Sequence, residues 1–568
     1  MKHSKTLRWL ITLVIALLCA ACGGGSNNTA LTRVADFAPA QLTIIKPITT
    51  CASLATVDLT DIGGVGGVGS VITSATEGTG TINGASVKFC TVEGTLTPAV
   101  AFRVRLPIDS WTQRSLDLGC GGLCGNTSAA FEPGQAYGCP LSQSGGFVLA
   151  STNMGHAGSE PNWSQDAQRR VDFAYRGVHI TSLASKKLIK AYYGQAQKYS
   201  YFVGCSDGGR EGLMAAQRYP TDYNGVVVGA PAFMFNVQNS LLHGWEARSN
   251  RDTGLTTGTV VLYPAKAAVL HKAVVTACDA LDGQTDGLLS DPRLCKFDPG
   301  TIQCGPGTTD TSACLTANEV IAARKIYNGP TDPTTGRRIL VGTPQYGSEL
   351  NWAGVFVPSN DAVTTRVNSD MFVDGARNLI FTETPPPVLD QFDFTEAFYA
   401  KLRPRHALND ATNPDLSAFQ AAGGKLILWH GWADQHISPQ GTIAYYEAMQ
   451  KTMGQANMDA FMRMYLVPGV GHCGSGEGND SLDLVTPAVA WVEQSMQADV
   501  VTTYRVDTTT KAVTSSRPLF PYPAVAKYNG TGDPTAAVNY SRGTPLYTAQ
   551  VPDWAGSDMF KPYPPAPL

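Results

Sequence analysis

The chain is 568 residues long, 43% hydrophobic, with a formal net charge of −4 from 42 Lys+Arg and 46 Asp+Glu. That length allows two or three ordinary domains or one enlarged enzyme, and that apolar content excludes wholesale disorder. Charged residues at only 15%, with no long basic block, argue against a nucleic-acid binder. The 58 glycines and 35 prolines describe a loop-rich, exported type of chain rather than a coiled coil, a repeat array or a polytopic membrane protein.

Lys2, Lys5 and Arg8 precede an apolar run from Trp9 to Ala21, which closes on Cys19-Ala20-Ala21-Cys22. A positive start, a short apolar core and small residues at its end describe a signal peptide over residues 1–21, and the run falls short of the ~20 apolar residues of a membrane span. Cys22 and the flexible tether after it (22–40) resemble a bacterial lipoprotein signal with Cys22 lipidated. Cys19 stands where such signals carry Leu, so ordinary cleavage after Ala21 is the alternative. Either way the protein is expected to be exported: anchored in the bacterial outer membrane, periplasmic or secreted, with no membrane contact beyond a lipid anchor. In an oxidising compartment cysteines are read first as disulfides. Of thirteen, setting aside Cys19 and Cys22 leaves eleven, Cys51, Cys90, Cys120, Cys124, Cys139, Cys205, Cys278, Cys295, Cys304, Cys314 and Cys473, so at least one stays unpaired. None has CxxC spacing with a matching His pair, which argues against zinc.

Residues 98–107 alternate like a strand, 180–193 read as a helix, and 199–203 as an apolar strand. A helix over 210–218 leads to the strand 225–229, and two more buried-type strands follow at 426–429 and 464–467. Apolar strands alternating with helices predict a parallel sheet covered on both faces. From 233 to 412 the pattern loosens, cysteines cluster and Pro385-Pro386-Pro387 interrupts. This stretch is read as a lid domain inserted between two parts of one α/β core, 41–232 and 413–568.

Gly204-Cys205-Ser206-Asp207-Gly208 fits G-x-S-x-G, with a strand before it and a helix after it. Such a nucleophile elbow needs glycines at its flanks because the Ser backbone is strained and strand and helix pass too close for a Cβ. A nucleophilic Ser needs a base, and the base an orienting acid, in the chain order Ser…Asp…His on this architecture. Asp434 follows the strand 426–429 and His472 follows 464–467, so both satisfy the order and sit at strand ends. His430 fits a backbone hydrogen bond better than a base, His436 precedes the strand that should present the base, and His156 precedes Ser206. The oxyanion hole requires two N–H donors. Asp207 supplies one, and Gly121 or Gly122, in Gly119-Cys120-Gly121-Gly122, the other.

Arg176-Gly177-Val178-His179, the run Tyr201 to Leu213, Gln217-Arg218-Tyr219-Pro220, Gly229-Ala230-Pro231-Ala232, His430 to Asp434 and Gly471-His472-Cys473 together resemble the tannase/feruloyl-esterase family of secreted serine esterases, over most of the mature chain. Its members include feruloyl esterases, tannases and mono(2-hydroxyethyl) terephthalate hydrolases. The resemblance implies an α/β-hydrolase core with a large inserted lid, a Ser206–Asp434–His472 triad, no organic cofactor, and a small aromatic ester as substrate. It further implies the disulfides Cys205–Cys473, Cys51–Cys90, Cys278–Cys295 and Cys304–Cys314. It also places a structural Ca²⁺ on the side chains of Asp279, Asp282 and Asp286 and the carbonyls of Gln284 and Leu288; without it, this stretch reads as a solvated acidic turn. Phe520 and Ser541 stand where many members carry a C-terminal disulfide, so that staple is absent. Cys120, Cys124 and Cys139 are additional, and one pair among them is expected to brace the oxyanion loop. A substrate carboxylate would call for an Arg, and Arg366 and Arg377 lie in the lid. A terephthalate-monoester hydrolase, a peptidase on the same fold and a non-catalytic surface lipoprotein binding aromatic compounds are the alternatives.

Overall fold

A computed structural model describes residues 36–63, 69–128, 131, 133–362 and 366–563; the export segment with Cys19 and Cys22 lies outside the described residues. Strands β1 (Val71–Ile82) and β2 (Ala85–Leu96) form a hairpin around Asn83-Gly84, both at positive φ as a two-residue hairpin turn demands. Strand β3 (Val100–Pro107) adds antiparallel to β2, burying Val100, Phe102, Val104 and Leu106 while Ala101, Arg103 and Arg105 face outward. Then follow β4 (Arg114–Leu118), β5 (Phe147–Thr152), β6 (Tyr199–Cys205), β7 (Gly225–Gly229), β8 (Lys425–Gly431) and β9 (Met462–Val467). All nine strands join one sheet in the order β1-β2-β3-β5-β4-β6-β7-β8-β9.

Pairing is parallel from β5 through β4, β6, β7 and β8 to β9, but antiparallel across β1, β2, β3 and β5. The parallel sheet expected from the sequence is thus present, extended at one edge by antiparallel strands into a mixed sheet. The reason is connection length: a two-residue turn can only reverse the chain, whereas a parallel neighbour needs a crossover. Much of β1 is exposed and rich in Thr and Gly, so it carries little apolar periodicity, and the Asn83-Gly84 pair was the available signal.

Helices α1 (Gly177–Tyr193), α2 (Asp207–Arg218), α3 (Ser240–Ser249), α4 (Pro264–Cys278), α5 (Asn368–Ile380), α6 (Pro439–Met453) and α7 (Val485–Gln494) accompany the sheet and its insertion. The central strands are apolar on both sides because both faces are covered. Val226, Val228, Leu426 and Leu428 pack with Leu213 of α2 and Ile443 of α6, whereas Val227, Ile427 and Trp429 pack with Ala488 and Val489 of α7. This is an α/β-hydrolase core. Residues 230–424, between β7 and β8, form the insertion, which contains α3, α4 and α5 and has its own cluster around Leu270, Val274, Ile326, Trp352 and Phe356. After β9 come the short β10 (Ser481–Leu482), β11 (Val501–Val506) and β12 (Val513–Leu519), an antiparallel three-stranded sheet. Among the described residues no helix is long and apolar enough to cross a membrane.

Candidate active site

Ser206 sits between the last residue of β6 and the first of α2, at φ 63° and ψ −122°. Positive φ is costly for a residue with a Cβ, and here it turns the hydroxyl out of the strand end toward solvent. The flanking glycines follow from close approach. A Cβ on Gly204 would lie 2.5 Å from the Gly208 carbonyl carbon, and one on Gly208 would lie 2.9 Å from that of Gly119. Gly208 thus also brings the 119–122 loop against the elbow. Among the described residues, no hydrogen bond involves the Ser206 hydroxyl.

Asp434 and His472 leave the ends of adjacent parallel strands, β8 and β9, and meet: His472 Nδ1 lies 2.8 Å from Asp434 Oδ2. The same carboxylate receives His430 Nε2 at 3.0 Å, and its other oxygen accepts the backbone N–H groups of His436 and Ile437 at 2.7 and 2.9 Å. Burial alone would raise this carboxyl, but His472 and His430 beside it outweigh burial and hold it far below the usual carboxylate range. Asp434 is therefore an ionised acceptor fixed by four donors, leaving His472 Nε2 free to accept a proton. His430 is fully buried, with Nδ1 2.8 Å from the Thr442 hydroxyl and Nε2 also 3.0 Å from the Ile437 carbonyl. Those partners make it a brace for Asp434. His156 is buried and stacked on Trp163 at 3.6 Å, and burial holds its imidazole down at about 4.

Gly121 and Gly122 are exposed at the tip of their loop, and Cys120–Cys124 is a disulfide that closes it. Cys139, the odd cysteine, is buried and free. Behind the loop stands Glu211: the Cys120 N–H lies 3.4 Å from its Oε1. Burial first, then the neighbouring Asp207, pushes the Glu211 carboxyl well above its ordinary range. Asp207, whose N–H begins α2, spends its buried side chain on Arg210 through contacts of 2.7 and 3.0 Å. Arg210 in turn donates to the carbonyls of Phe173 and Ala174, so the elbow is anchored from beneath.

The remaining cysteines form Cys51–Cys90, Cys205–Cys473, Cys278–Cys295 and Cys304–Cys314. Cys205 and Cys473 adjoin Ser206 and His472, and their Cα atoms are 5.8 Å apart, so one covalent bridge spans the two loops. In the loop after α4, Asp279 accepts from the N–H groups of Asp286 and Gly287, Asp282 from those of Gln284 and Ser290, and Asp286 from Leu288. Burial raises the Asp286 carboxyl, with Asp279 and Asp282 adding to the shift against Arg517, whose Nη2 is 3.0 Å away. The three carboxylates offer hard oxygens of the kind Ca²⁺ takes, here turned to the N–H groups of their own loop.

From the sequence, His436 is only a rival base, and Gln435, His243, Asn351 and Phe372 are not singled out. His436 packs its ring 4.8 Å from that of His472, and His243 of α3 lies 5.4 Å beyond it, against Phe372 of α5. Burial lowers both imidazoles, that of His436 to about 4, so both are neutral near pH 7. Gln435 accepts the His472 N–H at 3.2 Å, and Asn351 donates to the Ala433 carbonyl at 2.9 Å. Gln435 could have been sought beside Asp434; His243, Asn351 and Phe372 come from the insertion, where no motif marks them.

Residues 84–543 match the family described as Tannase and feruloyl esterase. A mono(2-hydroxyethyl) terephthalate hydrolase of Piscinibacter sakaiensis is 31% identical over 536 residues, covering 82% of this chain and 84% of that protein. An uncharacterised esterase of Xanthomonas campestris pv. campestris is 30% identical over 550 residues, covering 88% and 92%. Among solved structures, feruloyl esterase B from Aspergillus oryzae superposes with a TM-score of 0.72 at 25% identity, over 87% of this chain and 100% of that one. A tannin acyl hydrolase from Aspergillus niger shares the fold, with a TM-score of 0.67 at 22% identity over 88% of this chain and 100% of that one.

Proposed function

The chain belongs to the tannase and feruloyl esterase family, whose members are carboxylic-ester hydrolases, and we propose that it cleaves esters of aromatic acids by a Ser206–His472–Asp434 acyl-enzyme mechanism. The observation that carries this reading is the His472–Asp434 contact of 2.8 Å, held by the Cys205–Cys473 bridge beside a serine at positive φ. Ser206 Oγ attacks the ester carbonyl while His472 Nε2 takes its proton. Asp434, acceptor of Nδ1–H, fixes the tautomer and stabilises the imidazolium. The N–H groups of Asp207 and of Gly121 or Gly122 receive the oxyanion. His472 then returns its proton to the leaving alkoxide. In the second half it takes a proton from water, which attacks the acyl-enzyme, and returns it to Ser206 Oγ as the acyl C–O bond breaks and the acid leaves.

The substrate class rests on the feruloyl and terephthalate esters that the relatives' names describe and on the family's description as tannase and feruloyl esterase. Phe372, His243 and His436 pack ring against ring beside His472, aromatic surroundings that support a flat aryl group. A terephthalate monoester is the less supported substrate, because no contact brings Arg366 or Arg377, which share Asp374, to Ser206 or His472 among the described residues. Asp279, Asp282 and Asp286 with the carbonyls of Gln284 and Leu288 would hold Ca²⁺, which when bound would neutralise their repulsion and stiffen the insertion. Export, with Cys22 as a lipid anchor, belongs to the same proposal and rests on the sequence of residues 1–28.

The test is a panel of methyl ferulate, a gallate ester, the terephthalate monoester and a peptide amide, assayed with the wild type and Ser206→Ala. Turnover of aromatic esters is expected to fall by about 10⁴-fold or more in the variant, with the melting curve preserved. More than a few per cent residual activity would remove Ser206 from the mechanism. Preference for the amide would make the protein a peptidase.

A further inference from the structure

The insertion reaches both loops that carry the proposed acid and base. Helix α4 presents His271, whose Nδ1 lies 2.8 Å from Glu349 Oε2 and whose Nε2 lies 2.8 Å from Glu477 Oε2. Glu349 belongs to the insertion and is fully buried; it also accepts the Tyr327 hydroxyl at 2.6 Å and the Gly347 N–H at 2.9 Å. Glu477 belongs to the core, on the returning arm of the hairpin that bears His472. Its N–H and that of Gly478 both donate to the Gly469 carbonyl at 3.0 Å, and the Gly471 N–H donates to Ser475 at 3.2 Å. Arg505 of β11 holds the same arm from the opposite side through the carbonyls of Gly476 and Gly478, at 2.6 and 3.0 Å. Two residues beyond Glu349, Asn351 grips the Ala433 carbonyl, next to Asp434.

Both ring nitrogens of His271 face carboxylates, an arrangement that suits the imidazolium. Burial opposes the charge, but Glu349 and Glu477 outweigh it and push the group up to about 9. A pair with half-exposed Glu477 alone would be worth little. The buried Glu349 end makes it a strut with a fixed root. The hairpin at its other end carries Gly469, Gly471, Gly474, Gly476 and Gly478, a backbone with little rigidity of its own.

We infer that His271 is a positioning residue: through Glu477 it ties the His472 hairpin to the insertion, so that the proposed lid sets the geometry of the base as well as covering the substrate. This rests on the reading of His472 as the base. A displacement near 1 Å at a reacting group costs on the order of 10²-fold in rate, so partial release of the hairpin is expected to appear in kcat.

The test compares Glu477→Gln, His271→Gln and the double variant with the wild type on a small aryl acetate and a bulky aromatic ester. The readouts are kcat, KM and the rate at which a phosphonyl fluoride inactivates the folded enzyme. Glu477→Gln leaves the buried His271–Glu349 pair intact, so it remains informative if His271→Gln folds poorly. The expected result for Glu477→Gln is a kcat lowered about 3- to 10-fold on both esters, KM within about twofold, and slower inactivation at an unchanged number of reactive sites. The double variant is expected to be no worse than His271→Gln alone, since Glu477→Gln removes the charge from the same strut that His271→Gln breaks. Wild-type kcat and inactivation rate in Glu477→Gln overturn the inference, as does fully additive loss in the double variant. A loss confined to KM on the bulky ester does so too, by making the pair a substrate contact. His472→Ala separates the two claims: residual activity there sinks the base assignment, whereas an inactive His472→Ala beside a wild-type Glu477→Gln sinks only the strut.

Discussion

Asp117 and Asp434 are both fully enclosed carboxyls, and their neighbours drive them in opposite directions. Asp434 has two imidazoles and two N–H groups and stays ionised. Asp117, on β4, has the Tyr223 hydroxyl at 2.7 Å, and burial pushes it up to about 6, with Asp222 adding to the shift against Lys186. A carboxyl raised on folding contributes stability that is full below its unfolded value of about 4 and is lost as pH rises through about 6. Asp117→Asn keeps an oxygen for Tyr223 and removes the buried charge. It is therefore expected to stabilise the protein by on the order of 1–2 kcal/mol at pH 8 and by nothing at pH 4, as paired denaturant titrations will show. A variant less stable than wild type at pH 8 would contradict this account of the site.

At the scale of elements, the elbow and the His472 hairpin are joined by Cys205–Cys473. Removing that bridge leaves the sheet and its apolar layers in place but frees a glycine-rich hairpin beside the reacting atoms. The Cys205→Ala, Cys473→Ala double variant is expected to keep a cooperative, somewhat lower melting transition while losing most of its kcat, with a smaller change in KM. Near-wild-type kcat per folded molecule would reduce the bridge to a stability device. The acidic loop after α4 makes a separate prediction. A structural ion binds only the folded state, so a strong chelator or Asp282→Asn is expected to lower Tm, and elemental analysis to find about one calcium per chain. An unchanged melting curve in chelator and no bound metal would remove the ion. Activity on bulky aromatic esters is expected to fall first, since they need the insertion to enclose them, with a smaller loss on a small aryl acetate through the His271 strut.

For the whole molecule, five bridges and one buried thiol define a simple redox pattern among the described residues. Cys139 is fully enclosed; burial, then the nearby Asp483, pushes its thiol up to about 12. A thiol so protonated and shielded reacts only when the core opens. Thiol titration of the folded chain lacking residues 1–22 is expected to find no reactive group, and titration in denaturant to find one. A second thiol in denaturant would mean that one of the five bridges does not form.

Local sequence carried what depends on neighbours in the chain. Gly204-Cys205-Ser206-Asp207-Gly208 marks the elbow because a strained serine and a close strand–helix crossing leave glycine as the residue without a clashing Cβ. The strands 225–229 and 426–429 are legible because a strand buried on both faces has to be apolar throughout. The order of Ser206, Asp434 and His472 follows, since each stands at the end of such a strand. Local sequence was silent where contacts join distant segments. Strand β1 is largely solvated and has almost no apolar rhythm, and β2 splits its apolar residues between two faces, Val87 and Phe89 on one and Cys90, Val92 and Leu96 on the other. The choice of Cys120–Cys124, with Cys139 left over, depends on which sulfurs the fold brings within bonding reach, and spacing does not encode that. His271, Glu349 and Glu477 look like three ordinary charged residues, each surrounded by unremarkable sequence. They become one strut only because packing of the insertion on the core encloses Glu349 and aims both ring nitrogens of His271 at carboxylates.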